Sequence, residues 1–384
     1  MDLAGRGCGG DRAGPPRLCV MRVLAVNAGS SSLKLTLLNA EDQTLAEEEL
    51  TGSQAQIDPA ALRHALESPL GEADAIGHRI VHGGERFRSA VPIDTNVETA
   101  LRELAYLAPL HQAKSLAAMD AVSGLLPTLP AVACFDTAFH ATLPPAAFTY
   151  ALPAAWREQW GLRRYGFHGL SHAWVARRAP ELLGRDGADL RVVSCHLGAG
   201  ASLCAIAQGA SLDTTMGFTP LEGLVMATRS GSVDPGMLMW LLEREDLAPH
   251  EMAEALEHRS GLLGLCGTAD MRELLARAGA GDRQAQLALD VYIHRLRAGI
   301  AAMAAALGGL DALVFTGGVG QRSAEVRELT AAGLGFLGVE VDAQRNRDAT
   351  ADADISPSRA ATATVTIAAR EDLEIARQVR AALG

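Results

Sequence analysis

Short apolar runs, each followed by a turn of small residues, recur along this chain. Residues 23–26 read Val-Leu-Ala-Val and residues 35–38 read Leu-Thr-Leu-Leu, with a turn rich in serine and glycine between them. Residues 192–198 and 202–206 repeat this arrangement with one extra turn residue. Short apolar runs bounded by turn residues predict β-strands, so we expect two similar hairpins.

A third strand and a helix are predicted after each hairpin. The strands are expected at residues 43–50 and 210–213, and the helices at residues 59–67 and 285–307. This internal repeat predicts a duplicated α/β architecture with a ligand cleft between the two halves. A closing helix is expected at residues 371–383.

A further apolar run at residues 311–316 leads directly into a pair of glycines. A buried strand that ends in glycines lets the backbone approach a bulky ligand such as a nucleotide. A glycine at the entry to a helix with no ligand explains the same pattern equally well.

Composition and charge narrow the classes of function. The 384 residues are 48% hydrophobic and 21% charged, which is typical of a globular enzyme and excludes broad disorder. The net charge of -11 argues against a nucleic-acid partner or an anionic membrane surface. The longest apolar stretch, at residues 298–310, is too short to span a bilayer. The six cysteines are scattered, which favours a reduced cytoplasm.

Residues 1–20 lack periodicity, and we expect a disordered extension with Met21 opening the folded body.

The first hairpin turn is the strongest candidate for binding phosphate. Residues 27–34 read Asn-Ala-Gly-Ser-Ser-Ser-Leu-Lys, so the turn offers backbone N–H groups and hydroxyls. Lys34 is one of only two lysines, and Lys114 is the other, which suggests that a compact ammonium is wanted in this turn. Asn27 offers a side-chain carbonyl to a metal-bound water. An ordinary hairpin turn rich in serine and glycine is the alternative.

Further polar clusters stand at predicted strand ends and in loops, at residues 77–85, 107–112, 134–140, 165–172, 217–223 and 228–235. Each has an ordinary structural explanation: an arginine on the surface, an aspartate capping a helix, a histidine in a turn. His168 and His172 suggest a metal pair, but no further ligands complete a zinc site. Together, phosphate turns, arginines, one acid and a loop histidine suit phosphoryl transfer.

These motifs in this order resemble the acetate/butyrate kinase family, from Met21 onward. The most specific segments are residues 27–34, 77–84, 135–140 and 217–235. The resemblance implies two duplicated ribonuclease-H-like domains of the actin-like ATPase type. Their expected bounds are 21–150, completed by a helix at about 373–384, and 151–372.

The resemblance also implies reversible transfer of the ATP γ-phosphoryl group to acetate, giving acetyl phosphate and ADP, with Mg²⁺ or alternatively Mn²⁺. By position it places Asn27 and Glu371 at the metal, and Arg79, Asp136, His168 and Arg229 in catalysis. Arg79 would also bind the acid, whose small pocket is formed by Val81, Leu110, Phe167 and Pro220. Nucleotide contacts would come from Ser30, Ser32, Lys34, His196, Leu197, Gly198, Ala199, Gly200, Asp270, Met271, Arg272, Gly318, Val319, Gly320, Gln321 and Arg322.

The chemistry of the acceptor bears on Asp136. A carboxylate acceptor is already ionised at neutral pH, with a pKa near the roughly 4 of side-chain acids, so no strong general base is needed. We therefore expect Asp136 to organise the metal or an arginine rather than to accept a proton.

Three segments depart from the family pattern, all on the nucleotide and metal side. Ala199 replaces the asparagine of His-x-Gly-Asn-Gly. Gln321 and Arg322 replace the Glu-Asn of Gly-x-Gly-Glu-Asn, and Arg322 is a candidate replacement phosphate contact. Residues 369–372 read Ala-Arg-Glu-Asp in place of Thr-Asn-Glu-Glu. These departures keep a non-catalytic nucleotide-binding relative as an alternative. A propionate kinase is the nearer alternative, because the pocket residues are compatible with either acid. The family also implies a homodimer.

Overall fold

The computed structural model describes residues 21–29, 32–51, 58–67, 69–244 and 247–384. The side chains of residues 109–111 are not described either. The predicted extension at residues 1–20 and Ser30 of the first turn therefore lie outside the described residues. So does the side chain of Leu110.

Twelve strands are found in the described part of the chain. They are β1 (Val23–Ala28), β2 (Ser32–Leu38), β3 (Thr44–Thr51), β4 (Ala75–Ile80), β5 (Val91–Pro92), β6 (Ala131–Phe135), β7 (Arg191–Leu197), β8 (Ala201–Ala207), β9 (Ala210–Thr214), β10 (Ala312–Thr316), β11 (Ala353–Asp354) and β12 (Ala363–Thr366). Both predicted hairpins and both predicted third strands are confirmed, with ends that differ by a residue or two.

The strands form two six-stranded sheets with the same topology. The first has the order β3-β2-β1-β4-β6-β5, and the second has the order β9-β8-β7-β10-β12-β11. In each sheet the hairpin strands are antiparallel, the next two strands are parallel to the first, and a two-residue edge strand is antiparallel. The predicted duplication of an α/β half is therefore confirmed, and it extends to two edge strands that were not predicted.

Helices connect and cover the two sheets. They are α1 (Pro59–Leu66), α2 (Thr95–Glu103), α3 (Pro109–Leu125), α4 (Pro145–Phe148), α5 (Ala154–Trp160), α6 (Gly169–Leu183), α7 (Pro235–Arg244), α8 (Pro249–His258), α9 (Gly261–Cys266), α10 (Met271–Gly279), α11 (Arg283–Leu307), α12 (Gly317–Arg322), α13 (Ala324–Ala331), α14 (Ala343–Asp348) and α15 (Glu371–Leu383). In the part of the chain that the structure describes, no helix is both long and apolar enough to cross a membrane.

The helix α15 packs on the first sheet, although it follows the strands of the second sheet in the chain. Its residues Leu373, Ile375 and Val379 share one buried cluster with residues of β1, β4 and β6. Gly77 in β4 makes this approach possible, since a Cβ there would lie 2.3 Å from Ile375 Cγ2. The N-terminus of α15 is thereby held beside the ends of the first-sheet strands.

Candidate active site

A cavity of about 210 Å³ is lined by residues from both halves of the molecule. Strands β1 and β4 and the segments after β6 contribute from the first half, and loops around the second sheet close the other side. The lining residues are Asn27, Ala28, Gly29, Arg79, Val81, Lys114, Asp136, Phe167, His168, His196, Gly200, Pro220, Arg229 and Glu371. We call this space the cleft cavity.

A chain of hydrogen bonds joins four polar residues on the first-half side of the cleft cavity. Arg79 donates to Asp136 Oδ2 from Nη2 at 2.6 Å and from Nε at 3.1 Å. Its Nη1 donates to the Ala28 carbonyl at 2.7 Å and to Asn27 Oδ1 at 3.4 Å. Asn27 Nδ2 donates in turn to Glu371 Oε2 at 2.7 Å. These contacts fix the arginine and both carboxylates relative to the β1–β2 turn.

Two carboxylates share this small space, which favours a bound cation. Burial raises the pKa of Asp136, Arg79 opposes that shift, and the negative charge of Glu371 adds to it. Asp136 Oδ1 is buried and has no hydrogen-bond partner among the described residues. Carboxylate and amide oxygens suit Mg²⁺, which needs only one or two protein carboxylates beside substrate phosphates and water. The residues present therefore fit such an ion, although the described residues form no ready-made cage of three or more ligands.

Arg229 is the second arginine of the cleft cavity and comes from the second half. Its Nε lies 2.9 Å from Glu257 Oε2, and only 15% of the side chain is exposed. Burial lowers the pKa of Arg229, while Glu257 opposes that effect. Glu257 thus orients a guanidinium that stays charged at neutral pH, and that still lines the cavity.

His168 lies opposite the carboxylates in an uncommon backbone conformation. Its φ of 56° falls in the left-handed region, directly before α6. Gly169 must follow it, since a Cβ there would lie 2.0 Å from the Asp136 carbonyl oxygen, to which Gly169 N donates at 2.9 Å. Burial, with the neighbouring histidines and arginines, holds the pKa of His168 well below its ordinary value. The imidazole is therefore neutral, and it stacks on His196 at 4.3 Å between ring centroids.

An apolar wall stands beside the arginines. Val81, Phe167 and Pro220 are buried and line the cleft cavity. Gln112 of α3 holds the backbone of the adjacent loop, accepting from His82 N at 3.1 Å and donating to His82 O at 3.1 Å.

A second cavity of about 840 Å³ lies beside the first. The β7–β8 turn separates them, because Gly198 and Ala199 line the larger cavity and Gly200 lines the cleft cavity. The larger cavity is lined by Gly198, Ala199, Ala227, Leu262, Ala269, Asp270, Met271, Arg272, Leu275, Tyr292, Gly318, Val319, Arg322, Ser323, Ala324 and Glu325. Its mostly apolar walls and adjoining glycine turns suit a nucleoside with its phosphates directed to the cleft cavity.

Gly317 turns the chain at the end of β10, at the edge of this larger cavity. Its φ is 76°, and a Cβ would lie 2.7 Å from the Leu197 carbonyl oxygen. Only glycine fits this approach, and it begins α12 with Gly318 facing the cavity. The glycine pair predicted after the strand at 311–316 therefore opens a helix beside a cavity.

Several predicted site residues lie outside both linings. The ammonium of Lys34 is 3.0 Å from Glu47 on the neighbouring strand β3, with 40% of its side chain exposed. The others, found in the strands or helices that frame the cavities, are Ser32, Leu197, Gly320 and Gln321. The remaining described candidates all face one cavity or the other.

Sequence reasoning missed Lys114 and the apolar walls of the larger cavity. Lys114 lies on α3 and lines the cleft cavity. Lys114 and Lys34 are equally rare as lysines in this chain. That rarity is the feature of the sequence that could have identified Lys114 as a site residue. Leu262, Leu275 and Tyr292 lie on α9, α10 and α11. In the sequence each is an ordinary apolar position of a helix, which gives no sign of a ligand.

The chain is similar to known proteins over most of its length. The family model described as the Acetokinase family matches residues 57–377. A protein of Gloeobacter violaceus named acetate kinase is 44% identical, over 93% of this chain and 98% of its own length. A crystal structure of the Porphyromonas gingivalis acetate kinase superposes with a TM-score of 0.86 at 36% identity, covering 95% of this chain and 100% of that one. A propionate kinase from Francisella tularensis gives 0.87 at 34% identity, covering 94% and 99%.

Proposed function

The chain belongs to the acetokinase family, and we propose that it catalyses reversible transfer of the ATP γ-phosphoryl group to acetate, giving acetyl phosphate and ADP. The observation that carries this proposal is the convergence of Arg79, Arg229 and neutral His168 on one small cavity. A cavity large enough for a nucleoside adjoins it across the β7–β8 turn.

Transfer proceeds by direct displacement at phosphorus. A carboxylate oxygen of acetate bonds to the γ-phosphorus while the bond from that phosphorus to the bridging oxygen breaks, and the electron pair leaves on ADP. The total charge is equal on both sides, so no proton needs to be moved. The protein therefore acts mainly by positioning the reactants and stabilising charge on the equatorial oxygens.

The arginines and the histidine carry that stabilisation. Arg79 holds the acid at the end of β4, and Arg229 approaches the phosphoryl group in transfer from the other half. His168 donates a hydrogen bond to the same oxygens. Asp136 fixes Arg79 through two contacts to one oxygen, a geometry that suits an organiser rather than a base.

Asn27, Asp136 and Glu371 would hold Mg²⁺, or alternatively Mn²⁺, directly or through water. When bound, the ion neutralises charge on the nucleotide phosphates. Nucleotide contacts come from Gly198, Ala199 and residues 270–272 on one wall of the larger cavity and from Gly318, Val319 and Arg322 on the other.

Acetate suits the small apolar wall formed by Val81, Phe167 and Pro220. Hydroxylamine trapping with ATP, Mg²⁺ and one of acetate, propionate or butyrate tests the proposal. The highest kcat/KM is expected with acetate, and one added methylene changes selectivity by about 1–3 kcal/mol. A preference for propionate would reassign the substrate, and no trapped product with any acid would reject the enzyme.

We also propose a homodimer built on α7. None of the residues of this helix is buried, and Met237, Met239 and Trp240 are exposed on it. Sedimentation of the wild type at micromolar concentration is expected to give twice the mass of the chain. Trp240→Glu should give the single-chain mass, whereas Leu45→Glu, at an exposed hydrophobic residue away from α7, should not. A monomeric wild type would contradict the proposal.

Each sheet is proposed as the centre of one domain, 21–150 with 373–384 and 151–372. A cytoplasmic location is proposed from the use of ATP. Cys134, Cys195, Cys204 and Cys266, the cysteines that the structure describes, are all free and buried, which accords with a reducing compartment.

A further inference from the structure

A buried row of hydroxyls and imidazoles leads away from the cleft cavity behind His168. Ser202 Oγ lies 2.9 Å from His168 Nδ1 and 2.8 Å from His172 Nε2. Ser194 Oγ lies 2.9 Å from His172 Nδ1. Ser202, His172 and Ser194 are all fully buried. We call these three residues the relay, of which sequence analysis singled out only His172, as a partner of His168.

Each group in this row has one proton to offer. Burial and the neighbouring histidines keep the pKa of both His168 and His172 well below its ordinary value, so both rings are neutral. A neutral imidazole donates from one nitrogen and accepts at the other, and a serine hydroxyl donates one hydrogen. Within the described residues, the hydroxyl of Ser202 has these two imidazoles as its only partners, so its hydrogen goes to one of them and it accepts from the other. The hydrogen bonds therefore all point the same way along the row.

Ser194 decides which way they point. Within the described residues, its hydroxyl has a single side-chain partner, His172 Nδ1. A buried hydroxyl hydrogen without an acceptor costs about 1–3 kcal/mol, so Ser194 donates to His172 Nδ1. His172 then carries its proton on Nε2 and donates to Ser202, and Ser202 donates to His168 Nδ1. The proton of His168 is left on Nε2.

His168 Nε2, the ring nitrogen not bonded to Ser202, lies close to other residues that line the cleft cavity. It lies near the β7–β8 turn, since a Cβ on Gly200 would be 3.3 Å from Nε2 and 3.6 Å from Arg229 Nη1. We propose that Ser194, His172 and Ser202 are positioning residues that hold His168 in the Nε2–H tautomer, ready to donate to a phosphoryl oxygen. This inference rests on the proposed function, and it names what fixes the donor. The opposite tautomer would present a lone pair to the same oxygens.

The most direct test is spectroscopic and needs no variant. Long-range ¹H–¹⁵N correlation spectra of ¹⁵N-histidine-labelled protein distinguish Nε2–H from Nδ1–H rings. We expect His168 and His172 to be Nε2–H from pH 6.5 to 8. A His168 that carries its proton on Nδ1, or an even mixture of tautomers, would overturn the inference whether or not the protein is a kinase.

Variants then link the tautomer to turnover. Ser194→Ala removes a hydroxyl that does not touch His168, and Ser202→Ala removes the one that does. Each should give mixed His168 tautomers and lower kcat about tenfold or more, with KM values for ATP and acetate within about twofold, since losing a donor outright costs about 10²–10³.

Ser211→Ala is the matched control. Ser211 Oγ lies 2.9 Å from His140 Nδ1, an equally buried pair outside the relay. This variant should keep the His168 tautomer and kcat. Unchanged kcat and tautomer in Ser194→Ala would refute the relay, whereas an inactive wild type with an Nε2–H His168 would refute only the proposed reaction.

Discussion

The two halves share one strand order but present different chemistry where their strands end. In the first half, β4 carries Arg79 and β6 leads into Asp136, so charged side chains stand at the strand ends. In the second half, the equivalent β10 leads into Gly317 and Gly318, and the β7–β8 hairpin turns through residues 198–200. One scaffold thus supplies an ion-pair network on one side and close backbone approach on the other.

This difference matches what each reactant needs. Charge changes during transfer at the reacting phosphorus and at the acid, and fixed charges there are most effective. A nucleoside is bound by a cavity of complementary shape and by backbone N–H donors. Arg229 is the exception, a buried cation from the second half that reaches the cleft cavity.

Removing one partner of the buried first-half ion pair should have the largest effect. Asp136→Ala leaves the Arg79 guanidinium buried without its carboxylate, and we expect a loss of about 3–5 kcal/mol in the free energy of unfolding, measured with urea. Glu340→Ala removes a partner of the exposed pair with Arg359 in the second half and should have no measurable effect. Equal losses would show that the halves do not differ in this respect.

The second half should contain one arginine that acts on turnover. Arg229→Ala is expected to lower kcat by about 10²–10³ through loss of a donor to the transition state, with little change in the KM for ATP. Steady-state kinetics at saturating acetate measure both constants. A turnover near that of the wild type would remove Arg229 from catalysis and restore a strict division between the halves.

Buried histidines of the first half should make stability depend on pH. Burial lowers the pKa of His78 and His82 to about 4 each. Below the unfolded value near 6.5 only the unfolded chain takes up the proton, so stability is full above pH 6.5 and falls as the pH drops toward 4. Each histidine contributes on the order of 3 kcal/mol to this fall.

Urea unfolding at several pH values between 7.5 and 4.5 measures that slope. His78→Gln should reduce it, and His250→Gln, at an exposed histidine, should leave it as in the wild type. A slope that His78→Gln does not change would show that this ring takes up its proton in the fold as readily as in the unfolded chain.

A smaller effect is expected at the larger cavity. Arg322 is exposed and lines it, in the place of a family amide. Arg322→Ala should raise the KM for ATP about tenfold, the value of one charge-assisted hydrogen bond, with kcat unchanged. An unchanged KM in nucleotide titrations would exclude the phosphate contact.

The smallest expected effect is a lower KM for ATP. Ala199 is exposed in the turn between the two cavities, where the family has asparagine. Ala199→Asn restores a side-chain amide and should lower the KM for ATP about fivefold, equivalent to about 1 kcal/mol for one hydrogen bond. Ala201→Ser, at the buried start of β8, should give no such gain.

Much of the fold was predictable because its repeat shows in local patterns of apolar and turn residues. Both hairpins have apolar runs between turn residues, both third strands follow their hairpin after a short turn, and apolar residues recur at helical spacing in 371–383. The edge strands β5 and β11 were not predicted, since two residues carry no periodicity. Their equivalence became visible only through pairing with β6 and β12.

The site was predicted less evenly. Residues in distinctive motifs, such as Arg79 and His168, do line the cleft cavity. Lys34 stood out for its rarity, yet its ammonium pairs with Glu47, while the equally rare Lys114 faces the cavity. Ser194 and Ser202 alternate with apolar residues along β7 and β8, so nothing local distinguished them. They become important because β7 and β8 bring them within hydrogen-bond distance of His172 on α6. Spacing along the sequence does not indicate such a contact.

The packing of α15 on the first sheet has a consequence for synthesis. Asn27 and Glu371 are hydrogen-bonded partners 344 residues apart. While a ribosome is still translating the second sheet, Val23, Ala25 and Val132 lack the helix that covers them. The apolar face of the first half therefore stays exposed to solvent until α15 has been synthesised. A chaperone that shields this face should raise the yield of folded protein.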